Sequence, residues 1–262
     1  MSPRRLALVT GASSGIGAAT AVRLGRDGWK VILLARRAEK LTEIARAVDH
    51  AGGEALIEAV DAADGEAVIT MASRVIAAHG APDFIVHCAG AGQWKYVEDT
   101  SPAELASMMS APFAAAFHVN HAFLRPMIQR GSGVLVHVNS PAALSPWPGS
   151  AGYACARWAL RGLHEALVQD LAGTGVRSCH AVFGEVSSEY FSANPNSHDR
   201  LPKIAALIPI STPDDCAAAI VPLADRPRDL VKPLVLRGFY WLHAVAPWLV
   251  RWTSRLTGHR RP

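Results

Sequence analysis

Cysteine is scarce in this sequence. Cys88, Cys155, Cys179 and Cys216 are scattered through 262 residues, with no C-x-x-C pair. That spacing excludes a disulfide framework or a zinc knuckle and points to a reducing, cytoplasmic compartment. Charged residues are also few, at 18% against 50% hydrophobic. Such a composition excludes a disordered, collagenous or low-complexity chain. No internal repeat and no glycine/serine linker divides it. The opening stretch, MSPRRLALVTGASSG, has no long apolar run and is not expected to be a signal peptide. Histidine is plentiful, yet H-E-x-x-H is absent and His118 and His121 lack a third ligand at a recognisable spacing. No metal is expected. Acid is missing from one region altogether. Residues 230–262 contain Lys232, Arg237, Arg251, Arg255, Arg260 and Arg261 and no Asp or Glu. The net charge of +4 therefore hides a mildly acidic body and a basic tail. Basic residues do not cluster elsewhere, so no nucleic-acid partner is expected.

Short apolar runs alternate with longer helical stretches. The runs predict strands at 5–10, 30–35, 54–60, 83–89, 133–139 and 176–182. Helices are expected at 15–27, 37–51, 64–79, 102–129, 151–172 and 213–225. Strands buried on both faces read as continuous apolar runs, as these do. The alternation predicts a single α/β domain over residues 1–235, a doubly wound parallel sheet with helices on both faces. Irregular stretches at 141–149 and 192–213 read as loops over a site.

Between the first strand and the first helix stand Gly11, Ser13, Ser14, Gly15, Ile16 and Gly17, in the run TGASSGIG. Glycines here permit a tight turn and close approach of the backbone to a pyrophosphate on a helix N-terminus. The second strand ends at Arg36 and Arg37, where an acid would bind a ribose 2′-hydroxyl. Two guanidiniums suit a 2′-phosphate instead, so NADP(H) is expected in preference to NAD(H). Asp61 is placed to accept from the adenine amino group, or alternatively to cap the helix beginning near residue 64.

TGASSGIG, the Ala89-Gly90 turn after the fourth strand, and Ser140 followed thirteen residues later by Tyr153 resemble the short-chain dehydrogenases/reductases. The resemblance covers about residues 5–235. It implies a Rossmann fold, a nicotinamide cofactor, a homodimer or homotetramer, and a substrate cleft closed by residues 188–212. It assigns Ser140 to orient a substrate carbonyl and Tyr153 to give or take its proton. Arg157 stands where the family has a lysine that holds the nicotinamide ribose. Gly184, Val186 and Ser188 fall in the loop that meets the carboxamide. Four positions depart from the family pattern. Arg157 keeps the charge but cannot pass a proton on. An ungapped alignment puts Pro112 where an asparagine completes the family's proton relay, and proline kinks a helix. His87-Cys88 replaces Asn-Asn before Ala89, which predicts loss of a strand-crossing bond. Phe183 precedes Gly184 where proline is usual.

The resemblance implies an NADP(H)-dependent oxidoreductase interconverting a ketone and a secondary alcohol on an apolar small molecule. Tyr153 would act as acid and base beside the positive charge of Arg157, which favours its phenolate. Two other readings stay open. One is a cofactor-binding protein with little turnover. The other is non-redox chemistry, since Ser140, Tyr153 and Arg157 together resemble the triad of halohydrin dehalogenases, which have lost the glycine-rich signature this chain retains. Trp94 and Trp147 are candidates for an apolar pocket wall; Trp158 reads first as core. In residues 236–262, Trp241, Trp248 and Trp252 alternate with Arg251 and Arg255, interrupted by Pro247. The segment is too short to span a bilayer. It reads either as an interface-lying helix over 239–256 or as a helix packed on the domain or a neighbouring subunit.

Overall fold

The computed structural model describes residues 4–90, 92–190, 194 and 197–259. Seven strands lie in one sheet in the order β3-β2-β1-β4-β5-β6-β7. They are β1 (Leu6–Thr10), β2 (Lys30–Leu34), β3 (Glu54–Glu58), β4 (Phe84–His87), β5 (Gly133–Asn139), β6 (Val176–Phe183) and β7 (Leu230–Lys232), and every pairing is parallel. The chain runs outward from β1 in one direction, then crosses back to β4 and runs outward in the other. The loops after β1 and β4 diverge at this reversal, which opens a crevice at the carboxyl ends of the strands.

Successive strand residues point to opposite faces, and the two faces bury different helices. On one, Val9, Val31, Leu33, Phe84 and Val136 meet α1 (Gly15–Arg26), α2 (Ala38–His50) and α7 (Pro213–Ile220). On the other, Leu8, Ile32, Ile85 and Leu135 meet α3 (Gly65–His79), α5 (Ala115–Arg130) and α6 (Ala151–Asp170). Local chemistry sets several helix starts. Asp64 accepts from the Ala67 N–H to cap α3, so Asp61 does not take that part. Ser101 and Glu104 form a reciprocal cap on α4 (Pro102–Met109), as Thr212 and Asp215 do on α7.

The structure departs from the sequence expectations in three places. β7 was not expected; three residues carry no readable alternation. The helix expected over 102–129 is interrupted by a π-helical turn at Ser110–Ala114, with Pro112 buried inside it. Proline lacks an N–H and its ring crowds the carbonyl four residues back, and the wider turn absorbs both. The helix expected to reach residue 225 ends at Ile220 and tightens into a 3₁₀ turn, Val221–Ala224, because Pro222 cannot donate to an α-helical ladder.

The basic tail folds into α8 (Leu234–Val245) and α9 (Pro247–Thr257), which pack on each other. Leu236 and Val250 are buried, and the Tyr96 hydroxyl meets His259 Nδ1 at 3.1 Å. Residues 260–262 lie outside the described residues, as do 191–193, 195 and 196 of the expected closing loop. No helix among the described residues is long and apolar enough to cross a membrane.

Candidate active site

A cleft of about 980 Å³ occupies the crevice at the sheet reversal. Every residue singled out in the sequence as catalytic or cofactor-binding lies on its wall. At one end is the glycine-rich turn. Gly11 has φ +64°, and a Cβ there would stand 2.9 Å from the Ala89 nitrogen. A Cβ on Gly17 would come within 2.3 Å of the Gly11 carbonyl oxygen, so the turn and the helix are in contact at bare backbone. Ser14, at the N-cap of α1, makes no side-chain capping bond, and the first turn holds no acid. The N–H groups of that turn and the positive end of the helix dipole are therefore open to an anion.

The two arginines after β2 do different work. Arg37 reaches back over the turn and donates to Ser13 Oγ at 3.0 Å and Ser14 Oγ at 3.1 Å. Arg36 is largely exposed and lies 3.9 Å from Asp61 Oδ2. Asp61 also accepts from the Ala63 N–H. Two guanidiniums and two hydroxyls thus rim one end of the cleft.

Opposite this rim, Thr10 Oγ1 accepts from the N–H groups of both Cys88 and Ala89, each at 3.1 Å. Thr10 thus ties the end of β1 to the turn after β4, while the His87 ring turns to Asn120. Burial pushes the Cys88 thiol well above its ordinary range, with the Cys216 thiol adding to it. Cys88 is therefore a protonated wall residue and not a nucleophile.

Tyr153 and Arg157 stand one turn apart on α6, both buried. The Arg157 guanidinium lies 4.9 Å from the Tyr153 ring centroid and donates to the Val138 carbonyl. Its Nε is buried with no hydrogen-bond partner among the described residues. A Cβ on Gly90 would lie 2.8 Å from Arg157 Nη2. The bulk of arginine is accommodated here because residue 90 has no side chain. Ser140 Oγ accepts from the Ala142 N–H at 3.3 Å, which leaves its own O–H to donate. Asn139 holds the two arms together. Its Oδ1 accepts from the Ser140 N–H at 2.8 Å, and its Nδ2 donates to the Arg157 carbonyl at 3.0 Å. Pro112 is absent from the wall; Ser107, Ser110 and Ala111 line that side.

An aromatic cluster surrounds Tyr153. The rings of Trp94, Trp147 and Tyr190 lie 5.5, 6.4 and 6.3 Å from it. Tyr190 comes from the loop after β6 and had no signal in the sequence beyond its place there. Burial raises its pKa, and the neighbouring Tyr153 raises it further, so its hydroxyl stays protonated. Trp158, by contrast, is half exposed on the outer face of α6, neither in the cleft nor in the core.

Beneath the site runs a row of buried histidines. His87, His137 and His180 are directly paired across β4, β5 and β6 and so share one face of the sheet. His87 Nε2 lies 2.8 Å from Asn120 Oδ1, and Asn120 Nδ2 lies 3.2 Å from His137 Nε2. Ser178 Oγ bridges His137 and His164, and His164 Nε2 meets Asp229 at 3.5 Å. His180 Nε2 meets Asn139 at 2.9 Å. Burial holds His87 at about 4, against an opposing hydrogen bond to Asn120. Burial and the charge of His164 hold His180 at about 4. Burial and the three neighbouring histidines hold His137 well below its usual value. Burial pushes the Asp229 carboxyl up, but the hydrogen bonds from His164 and from the His180 N–H outweigh it and bring it below the ordinary value.

A family model described as "short chain dehydrogenase" matches residues 5–198. An uncharacterised oxidoreductase of Mycobacterium tuberculosis is 35% identical over 187 residues, 71% of each chain. A crystal structure of a metagenomic short-chain oxidoreductase in complex with NADP superposes with a TM-score of 0.73 at 31% identity, covering 87% of this chain and 96% of that one. A short-chain dehydrogenase of Mycobacterium paratuberculosis bound to NAD shares the fold, with a TM-score of 0.75 at 23% identity over 87% of this chain and 95% of that one.

Proposed function

The chain belongs to the short-chain dehydrogenase family and is an oxidoreductase of that type, and on that premise we propose that it interconverts an apolar ketone and a secondary alcohol with NADP(H). The observation that carries this reading is the continuity of the cleft. It runs from the open N-terminus of α1 to Tyr153 without a break in its lining. The residues fit a dinucleotide. The bare, acid-free turn suits a pyrophosphate, and Arg36 and Arg37 with Ser13 suit a 2′-phosphate better than a ribose hydroxyl. The buried, unpartnered Nε of Arg157 suits a ribose oxygen.

When bound, the nicotinamide supplies or accepts the hydride. In the reducing direction, the Ser140 O–H donates to the substrate carbonyl oxygen as negative charge develops there. Tyr153 gives that oxygen its proton. Arg157, above the ring, stabilises the phenolate left behind. Arginine is effectively always protonated, so it does not hand a proton on. No asparagine from the α4–α5 region lines the described cleft, which leaves Tyr153 to recover its proton through solvent at the cleft mouth. Turnover limited by proton resupply is the expected consequence. Trp94, Trp147 and Tyr190 give the substrate an apolar wall.

Titration with NADPH and NADH, followed by nicotinamide fluorescence, tests the reading. NADPH is expected to bind more tightly, and the preference to fall by tenfold or more in Arg36→Ala and Arg37→Ala, consistent with loss of about 1.5–3 kcal/mol per charged hydrogen bond. Binding of neither nucleotide overturns it.

A further inference from the structure

The outward face of the tail is out of character with the rest of the surface. Leu234, Trp241 and Val245 on α8 follow one another at seven and four residues, and Trp248, Trp252 and Leu256 on α9 at four and four. Each set therefore forms one stripe. All six are exposed, Trp241 and Trp248 to 71% and 69%. The 3₁₀ turn Lys203–Leu207 packs against α9 and adds exposed Leu207. Arg237, Arg251 and Arg255 are exposed on the same two helices, and residues 230–262 hold no acid. Contiguous exposed apolar surface marks an interaction site. Indoles interleaved with arginines match the headgroup layer of a membrane carrying negative charge. A second copy of the chain fits less well, because a two-fold contact through these helices brings Arg251 and Arg255 of both copies together with no acid on either helix to meet them.

We propose that α8 and α9 form a docking surface for an anionic lipid bilayer. The inner side of α8 also walls the cleft, through Leu236, Phe239 and Leu242, and α9 reaches it at Ser254. A docked molecule turns an apolar entrance towards the bilayer. Resting on the function proposed above, this makes the substrate class a membrane-resident, apolar ketone or alcohol.

The test is co-sedimentation of the full chain with phosphatidylcholine vesicles, with and without about one-third phosphatidylglycerol, read together with tryptophan emission. Binding is expected on the anionic vesicles only, with a blue-shifted emission, and to weaken in high salt. Replacing two surface arginines, Arg251→Gln with Arg255→Gln, is expected to reduce partitioning roughly 25-fold, at about fivefold for each basic residue near the surface. Trp248→Ala with Trp252→Ala is expected to weaken partitioning and to shrink the emission shift to what Trp241 alone reports. Absence of partitioning, or partitioning unchanged in both double variants, overturns the proposal. So does a concentration-dependent dimer that only the tryptophan variant disperses. Nucleotide binding is read separately without vesicles, so loss of docking and loss of the oxidoreductase reading are distinguished.

Discussion

Lowering the pH should destabilise this protein through its buried histidine row. At pH 7 and above, His87, His137 and His180 are neutral in the folded and unfolded states, and their titration costs nothing. Below about 6.5 the unfolded chain takes up protons. The folded chain does not, because His87 and His180 titrate at about 4 and His137 is also held well down. Stability contributed by keeping these rings neutral is thus present above 6.5 and lost as the pH falls towards 4. Each group tilts the unfolding free energy by about 1.4 kcal/mol per pH unit inside that window. Between pH 7 and pH 5 that amounts to about 2 kcal/mol for each of His87 and His180, so about 4 kcal/mol for the two, with His137 adding in the same direction. A domain of this kind holds roughly 5–15 kcal/mol in all. Urea unfolding at pH 7, 6 and 5, followed by far-ultraviolet circular dichroism, reads the effect directly. In His87→Gln, which keeps a polar group facing Asn120, the slope against pH should fall by about one histidine's share. Asp229, also depressed, loses its contribution only in the more acidic carboxylate range and does not blur this window. An unfolding free energy that stays level from pH 7 to pH 5, or an unchanged slope in His87→Gln, would refute the reasoning.

Tyr153→Phe should lower turnover by roughly 10²–10⁴-fold while changing NADPH affinity less than threefold, measured by steady-state kinetics and nucleotide titration on the same preparation. Asn139→Ala should destabilise the protein by about 1–3 kcal/mol, since it leaves the Ser140 N–H and the buried His180 Nε2 without their partner; a change below about 0.5 kcal/mol in urea unfolding would contradict the bonds described. Gly90→Ala should displace the Arg157 guanidinium and cut kcat, and the loss should be smaller in the Arg157→Lys background. Equal losses in the two backgrounds would show that the contact between residue 90 and the arginine is not what the substitution disturbs.

The six expected strands, the parallel sheet and the location of the cleft were legible because their signals are local. TGASSGIG lies wholly between one strand and one helix, and its glycines are needed where bare backbone meets bare backbone at Gly11 and Gly17. The different duties of Arg36 and Arg37 were not legible. Adjacent residues leave a strand end in divergent directions, and only one reaches Ser13. Pro112 announced a disturbance in the long helix but not its form. The histidine row was hidden by sequence separation, since the sheet register alone aligns residues 87, 137 and 180. A signal was present all the same: in FIVH, VLVHVN and VRSCHAV a histidine interrupts each of three apolar runs near its carboxyl end. Polar groups at matching depth in neighbouring buried strands are candidates to satisfy one another.

Tyr153, Arg157, Arg161 and His164 succeed one another along α6 at intervals of about one turn. The first two reach the cleft, Arg161 grips the Ala143 carbonyl in the loop beside it, and His164 meets Ser178 and Asp229. Reacting group and interior polar row are therefore mounted on one rod. A substitution that shifts the helix along its axis to suit the histidines carries the phenol with it. Sequence change in the two places is consequently not independent: drift in the row is constrained by the ångström-scale placement of an oxygen it never touches, and the tolerance of the chemistry bounds how the interior can vary.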